Sequence, residues 1–257
     1  MSKVTEKILE LSAMKSYPKE LYFSGDLELL KRKKISIIGS RKPTKYSREM
    51  TYKLASNLSK NGVCIVSGGA MGIDAIAHQA ATVNNTISVL PCGVDVRYPS
   101  VNKNLLNAIE KEGLLLSQFE NRAKARPYTF VLRNELVVAL GDVLVVGEAE
   151  LDSGSMRSIE FALKMKKEIY VFPQRIGESG ATNELLQKGL AKAIYDIDEF
   201  VAQFADLKEN PMFSDDFLEY CKTHPTYEEA LQRYPTRVFE AELSGEIAIV
   251  NAVVQIV

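Results

Sequence analysis

Short runs rich in isoleucine and valine alternate along this chain with longer stretches whose apolar positions recur at helical spacing, the pattern of βαβ units around a parallel sheet. The runs ISIIG (35–39), VCIVS (63–67), TISVLP (86–91), LLLSQ (114–118), VLVVGEA (143–149), EIYVFP (168–173) and AIYDI (193–197) read as strands. Between them fall helical patterns over about 46–60, 72–82, 102–112 and 130–140, with two more opening near Ser155 and Thr182. Met50, Leu54 and Leu58 form an apolar stripe, and Gly62 and Gly113 stand where helices should stop. Strands apolar on both faces are expected where helices cover both sides of a sheet. The predicted fold is α/β: an extended Rossmann-like, doubly wound, mostly parallel sheet over residues 24–204, preceded by an extension over 1–23.

The texture changes after Phe204. Residues 205–214, ADLKENPMFS, are mostly polar and carry a proline, which predicts a linker. Beyond it a helical pattern over 215–222 is followed by Thr226 and Glu229 at capping-box spacing, then by a helix from Pro235 that Gly245 ends. The last segment, EIAIVNAVVQIV, reads as two short strands. Three helices and a hairpin over 215–257 predict a small winged-helix-like C-terminal domain.

Composition narrows the class. With 46% hydrophobic and 25% charged residues the chain has globular proportions, which excludes disorder and fibrous folds. Three dispersed cysteines (Cys64, Cys92, Cys221) and two histidines support neither a disulfide framework nor a Cys/His metal site, so no metal or cofactor is expected. Glu6 and Glu10 interrupt any amino-terminal apolar run, and LVVALGDVLVVG is too short for a bilayer, so the expected location is cytoplasmic. Net charge is −1, but residues 1–60 carry +8 and residues 196–257 carry −9. A basic front end permits a polyanion-binding face, whereas the acidic tail is a poor phosphate binder.

Ligands of open α/β sheets sit beyond the carboxyl ends of the strands. There, Gly39, Ser40, Arg41 and Lys42 offer backbone approach, a hydroxyl and two cations; alone they also read as a tight turn. Ser67, Gly68, Gly69 and Gly72 can form a nest of backbone amides around a phosphate oxygen. They lack the Lys-Ser/Thr of a P-loop, so nucleotide hydrolysis is not supported. Asp74 and His78 read as a first-turn carboxylate and a packing histidine, without catalysis. In 118–134, QFENRAKARPYTFVLRN, the cations Arg122, Lys124, Arg126 and Arg133 interleave with Phe119, Tyr128 and Phe130 and are followed by Asn134, a combination suited to unpaired nucleic acid. Gly154 and Ser155 open another helix at a strand end, where a cap or a phosphate contact is expected.

GDLELLKRKKISIIGSRKPT, SGGAMGIDAIAHQAA, CGVDVRYPSVN, LLLSQF, FVLRNELVVAL, VVGEAELDSGSM and ATNELLQKG follow the order and spacing of the DNA processing protein A (DprA, or Smf) family, and from about Tyr17 to Phe204 the chain resembles it. The resemblance implies an extended Rossmann fold that binds single-stranded DNA, with duplex DNA bound weakly. It also implies protection of incoming DNA, loading of the recombinase RecA in natural transformation and recombination, and a homodimer. It aligns Gly39, Ser40 and Arg41 with the family's first phosphate-contacting turn, Ser67, Gly68, Gly69 and Gly72 with its glycine loop, Arg133 and Asn134 with its Arg-Asn pair, and Gly154 and Ser155 with its Ser-Gly-Ser loop. Met71 stands where the family usually has arginine, and Glu135 and Leu136 replace an expected second arginine. The chain reads as a shortened member without the full helical N-terminal domain some relatives carry.

Two other functions fit the same fold. A nucleotide phosphoribohydrolase-like enzyme would need a Pro-Gly-Gly-x-Gly-Thr-x-x-Glu motif, but residues 150–158 read ELDSGSMRS, with serine at the glutamate position. A sensor of small nucleotides would use the same loops. A binding protein rather than an enzyme is the expectation.

Overall fold

The structure is a computed structural model that describes residues 2–204, 216–244, 246–250 and 252–256. Contacts divide the chain into two compact units, Met1–Leu207 and Lys208–Val257. The linker expected over 205–214 lies outside the described residues.

The first unit is built on a nine-stranded sheet. Its strands are β1 (Ser2–Lys3), β2 (Tyr22–Gly25), β3 (Lys34–Ile38), β4 (Cys64–Ser67), β5 (Thr86–Val89), β6 (Leu114–Ser117), β7 (Val143–Val146), β8 (Ile169–Val171) and β9 (Lys192–Ala193). They lie in the order β1-β2-β6-β5-β4-β3-β7-β8-β9. All pairs from β6 to β9 are parallel, and β1 with β2 and β2 with β6 are antiparallel. The helices are α1 (Lys45–Lys60), α2 (Ile73–Ala80), α3 (Lys103–Glu112), α4 (Pro127–Leu140), α5 (Ser155–Lys164), α6 (Gly180–Gln187) and α7 (Ile197–Ala202). The doubly wound, Rossmann-like architecture is thus as the alternation predicts.

Strand residues are buried on both faces, and each face has its own core. Ile35, Ile37 and Ile65 pack with Leu54 and Leu58 of α1, Ile73 and Ala77 of α2 and Phe200 of α7. Ile38, Cys64, Val66, Leu144 and Val146 pack with Leu136–Leu140 of α4, Ile159 of α5 and Leu185 of α6. Each such aliphatic side chain contributes about 1.5–3 kcal/mol when buried. On α1 the innermost positions are Ser47, Thr51, Leu54 and Leu58, and Met50 is only half-buried, so the stripe is rotated one position from the predicted one. Helix α4 crosses directly over β3. Ser36 Oγ donates to the Val137 carbonyl at 2.6 Å, and a Cβ on Gly141 would lie 2.3 Å from Ser36 Oγ. Glycine at that point lets α4 end against the strand, which fixes the position of the functional residues on its first turns.

Three expectations are corrected. Residues 1–23 are not a separate extension: Ile8, Leu11, Met14 and Leu21 belong to the core, and β2 spans the expected boundary at Ser24. The predicted strand at 193–197 is only Lys192–Ala193, because the Asp196 carboxylate accepts the amides of Asp198 and Glu199 and starts α7. Helix α4 begins at Pro127 rather than Phe130, since proline's fixed φ suits the first helical position and its missing N–H costs nothing there.

The second unit contains α8 (Asp216–Cys221), α9 (Tyr227–Arg233), α10 (Pro235–Ser244) and an antiparallel hairpin of β10 (Ile247–Val250) and β11 (Val253–Ile256). Phe217, Cys221, Ala230, Val238, Ala241, Ile247 and Val254 form its core. Glu229 N donates to Thr226 Oγ1 while the Glu229 carboxylate accepts from Thr226 N, closing the expected capping box. Three helices followed by a hairpin is a winged-helix-like order.

Candidate nucleic-acid interface

Strand order reverses at β3, with β4 on one side and β7, reached only after α4, on the other. A crevice must open where the connections part, beyond the carboxyl ends of β3 and β7. A cavity of about 480 Å³ occupies that place. Of the residues singled out in the sequence, Gly39, Ser40, Arg41, Phe130, Arg133, Asn134, Gly154 and Ser155 line it. Gly68 lines a narrow slot next to it. Lys42, Ser67, Gly69, Gly72 and Arg126 line neither.

The turn after β3 is held from two sides. Ser40 N donates to the Glu148 carbonyl at 2.8 Å, and the Ser40 carbonyl accepts from Ile73 N at 3.1 Å. A Cβ on Gly39 would come within 2.8 Å of Ile73 and 2.9 Å of the Glu148 carbonyl, so no larger residue fits. Ser40 Oγ accepts from Lys42 N at 3.1 Å, tightening the turn and leaving Arg41 and Lys42 exposed.

The glycine loop is organised differently from the phosphate nest the sequence predicts. Gly72 has φ +78°, and a Cβ there would sit 2.2 Å from the Ser40 carbonyl, so this loop and the β3 turn touch backbone to backbone. The amides of Gly68 and Ala70 point at the Asp74 carboxylate, at 3.1 and 3.4 Å. The nest therefore wraps the protein's own anion. Ser67 is fully buried, its hydroxyl 2.6 Å from the Ile37 carbonyl and within reach of Asp74. Burial pushes the Asp74 carboxyl up from its ordinary value, against the pull of the Arg133 charge, the two amides and the Ser67 hydroxyl. His78, one turn along α2, is buried with Nδ1 2.7 Å from Thr86 Oγ1. Burial, reinforced by the Arg133 charge, pushes it down to about 3, so it is a neutral core residue.

Phe130, Arg133 and Asn134 share one face of α4 by their i, i+3, i+4 spacing. Arg133 is only 5% exposed. Its Nη1 donates to the carbonyls of Gly68 and Val89, and its Nε to Asn134 Oδ1 at 3.0 Å. Burial lowers its pKa, Asp74 opposes that shift and Arg41 adds to it. Arg133 thus ties α4 to the glycine loop while also lining the cavity. The Phe130 ring has two guanidinium groups near it, with Arg41 Cζ 5.9 Å and Arg133 Cζ 6.0 Å from its centroid, and the Tyr98 ring edge-on at 5.5 Å.

The opposite wall comes from the β7–α5 connection. Gly154 is exposed and a Cβ on it would meet nothing within 4 Å, so its packing does not require glycine. Glu150 lines the cavity while its two carboxylate oxygens accept from Ser179 N and Gly180 N at 3.1 and 3.0 Å, anchoring the loop that leads into α6. Glu148, buried just past β7, accepts from Thr44 N and Oγ1 at 2.8 and 2.9 Å at the start of α1. Arg157 also lines the cavity. Arg126 stands exposed at the start of α4, its amide donating to Thr129 Oγ1 at 2.9 Å. Sequence reasoning gave no site role to Tyr98, Glu148, Glu150 or Arg157. For the two glutamates the signal was present in their place directly after the VLVV strand. Among the described residues no cluster of three or more His, Cys, Asp or Glu forms a metal site, and no helix is long and apolar enough to cross a membrane.

Fold and crevice together define a Rossmann-like α/β protein whose switch-point cavity presents exposed cations beside an aromatic ring. The chain belongs to the DNA recombination-mediator protein A family, whose profile matches residues 6–205. It is 34% identical over 199 residues to the DNA processing protein DprA of Streptococcus pneumoniae, covering 76% of this chain and 70% of that protein. It is 30% identical to protein Smf of Escherichia coli over 271 residues, covering 94% and 72%. Among solved structures, DNA processing protein A of Helicobacter pylori, described for its single-stranded DNA binding mode, superposes with a TM-score of 0.77 at 43% identity, covering 79% of this chain and 94% of that one. The Streptococcus pneumoniae structure superposes with a TM-score of 0.73 at 32% identity, covering 79% and 73%.

Proposed function

We propose that this protein binds single-stranded DNA in the switch-point crevice and acts by binding rather than by catalysis. The observation that carries the reading is the Arg41–Phe130 pair, an exposed guanidinium over a ring at the mouth of a 480 Å³ cavity. Cations hold phosphates and ring faces hold unpaired bases, and a duplex hides its bases from such a pair. The Helicobacter pylori relative supports the same ligand. Glu150, the acid nearest to a hydrolase role, is committed to two backbone amides, which favours a structural part for it. In this reading the protein shields single strands in the cytoplasm, works as a homodimer and hands DNA to RecA during recombination and transformation.

Fluorescence anisotropy with labelled single- and double-stranded oligonucleotides across a salt series tests it. Single strands should bind much more tightly than duplex, with log K falling by about 0.7 per log unit of salt for each phosphate neutralised. Failure of single strands to bind at low salt, or release of base from AMP by the purified protein, would overturn the reading. RecA filament formation on coated DNA and sedimentation of the free protein test the remaining two parts.

A further inference from the structure

The wall formed by Arg41, Ala70, Phe130 and Arg133 has a cavity on each side, and the two differ in chemistry. On one side Asn134, Ser153, Ser155 and Arg157 bring polar groups to a roomy cavity of mixed lining. On the other, Met71, Pro91, Tyr98, Pro99 and Phe130 make an apolar slot of about 30 Å³. That volume is far below the roughly 150 Å³ of a cavity that takes in benzene, so the slot as it stands does not admit a base. Yet Met71 and Tyr98 at this slot are each 41% exposed. What sets these two apart from other exposed apolar side chains is their place, at the edge of the crevice beside the Arg41–Phe130 pair. Tyr98 is braced edge-on against Phe130 at 5.5 Å, and Met71 rides on the loop pinned by Asp74 and the Ser40 turn, so ring and thioether are presented by fixed backbone.

We propose that Met71 and Tyr98 form an apolar platform on which an unpaired base lies across the slot without entering it. This deepens the single-stranded DNA reading and rests on it. The strand then straddles the wall: one nucleotide enters the larger cavity, where Asn134, Ser155 and Arg157 offer polar groups, its neighbour rests on the platform, and the phosphate between them meets Arg41. Each subunit therefore grips at least two successive nucleotides by unlike means, one by hydrogen bonds and one by apolar contact. A flat apolar surface accepts any base, and the thioether adapts to ring outline.

The test is anisotropy titration of the full chain with fluorescein-labelled oligothymidylate and with a probe of equal length made of abasic residues. A Met71→Ala, Tyr98→Ala double variant should lose about tenfold or more in affinity for oligothymidylate. Its slope of log K against log salt should stay that of the wild type, since no phosphate contact is removed. On the abasic probe the two proteins should bind equally, and Tyr98→Phe should bind oligothymidylate as the wild type does. Unchanged affinity in the double variant, a shallower salt slope, or an equal loss on the abasic probe would overturn the platform. A wild type that binds no single strand at low salt would instead overturn the function on which the platform rests.

Discussion

Two arginines face the same phenylalanine ring from opposite surroundings. Arg41 stands on an exposed turn after β3, whereas Arg133 is 5% exposed on the inner side of α4, with Nη1 on two backbone carbonyls and Nε on Asn134. Both are 6 Å or less from Phe130 by ring-centroid distance, so proximity to the ring does not separate them. Burial does. A guanidinium that has already left water for fixed carbonyls holds the architecture of the crevice, and one still hydrated has donors left for an incoming phosphate. The consequence for mutagenesis is that lost DNA binding means different things at the two positions.

Arg133→Ala should have the largest effect. It leaves the buried Gly68 and Val89 carbonyls short of a donor, so it should cost about 3 kcal/mol in urea unfolding. A variant as stable as the wild type would show that Arg133 does not hold the crevice together. Next comes Gly72→Ala, which forces a Cβ against the Ser40 carbonyl at a positive φ. About 1–3 kcal/mol of stability should go, and Arg41 should be displaced with its turn.

The buried side can also be probed by pH. His78 takes up a proton near 6.5 in the unfolded chain but only at about 3 when folded. Its contribution is complete above 6.5 and is lost as pH falls toward 3, at up to about 1.4 kcal/mol per pH unit. Asp74 acts with the opposite sign, since its raised carboxyl favours the folded state as the medium becomes acidic. The prediction is therefore a difference: His78→Leu should flatten the loss of stability between pH 6.5 and 4 relative to the wild type, and parallel urea curves would refute it. Arg41→Ala should have the smallest effect on folding, within about 0.5 kcal/mol. It should still weaken single-stranded DNA binding and reduce the salt slope by about 0.7.

Most of the sheet was legible because its strands are buried on both faces and read as unbroken apolar runs. The edge was less so: β2 contains Tyr22, Phe23, Ser24 and Gly25, too short and mixed to announce an antiparallel partner for β6. Leu11 and Met14 looked like a stray extension because only tertiary packing makes them core. At the site, spacing located Arg41, Phe130 and Asn134 on one crevice but could not tell exposed from buried cations. It also could not show that the glycine loop is already filled, since Asp74 reads simply as a carboxylate on a helix's first turn. Tyr98 was hidden for a different reason, in that a single aromatic in an irregular segment has no period to betray its side.

The carboxylate held by Gly68 and Ala70 bears on which solutes can compete for the crevice. If the crevice binds single strands as proposed, orthophosphate and mononucleotides would find that amide pair taken, whereas a long polyanion would reach several exposed cations at once, so a loop that arrives already occupied would discriminate by length.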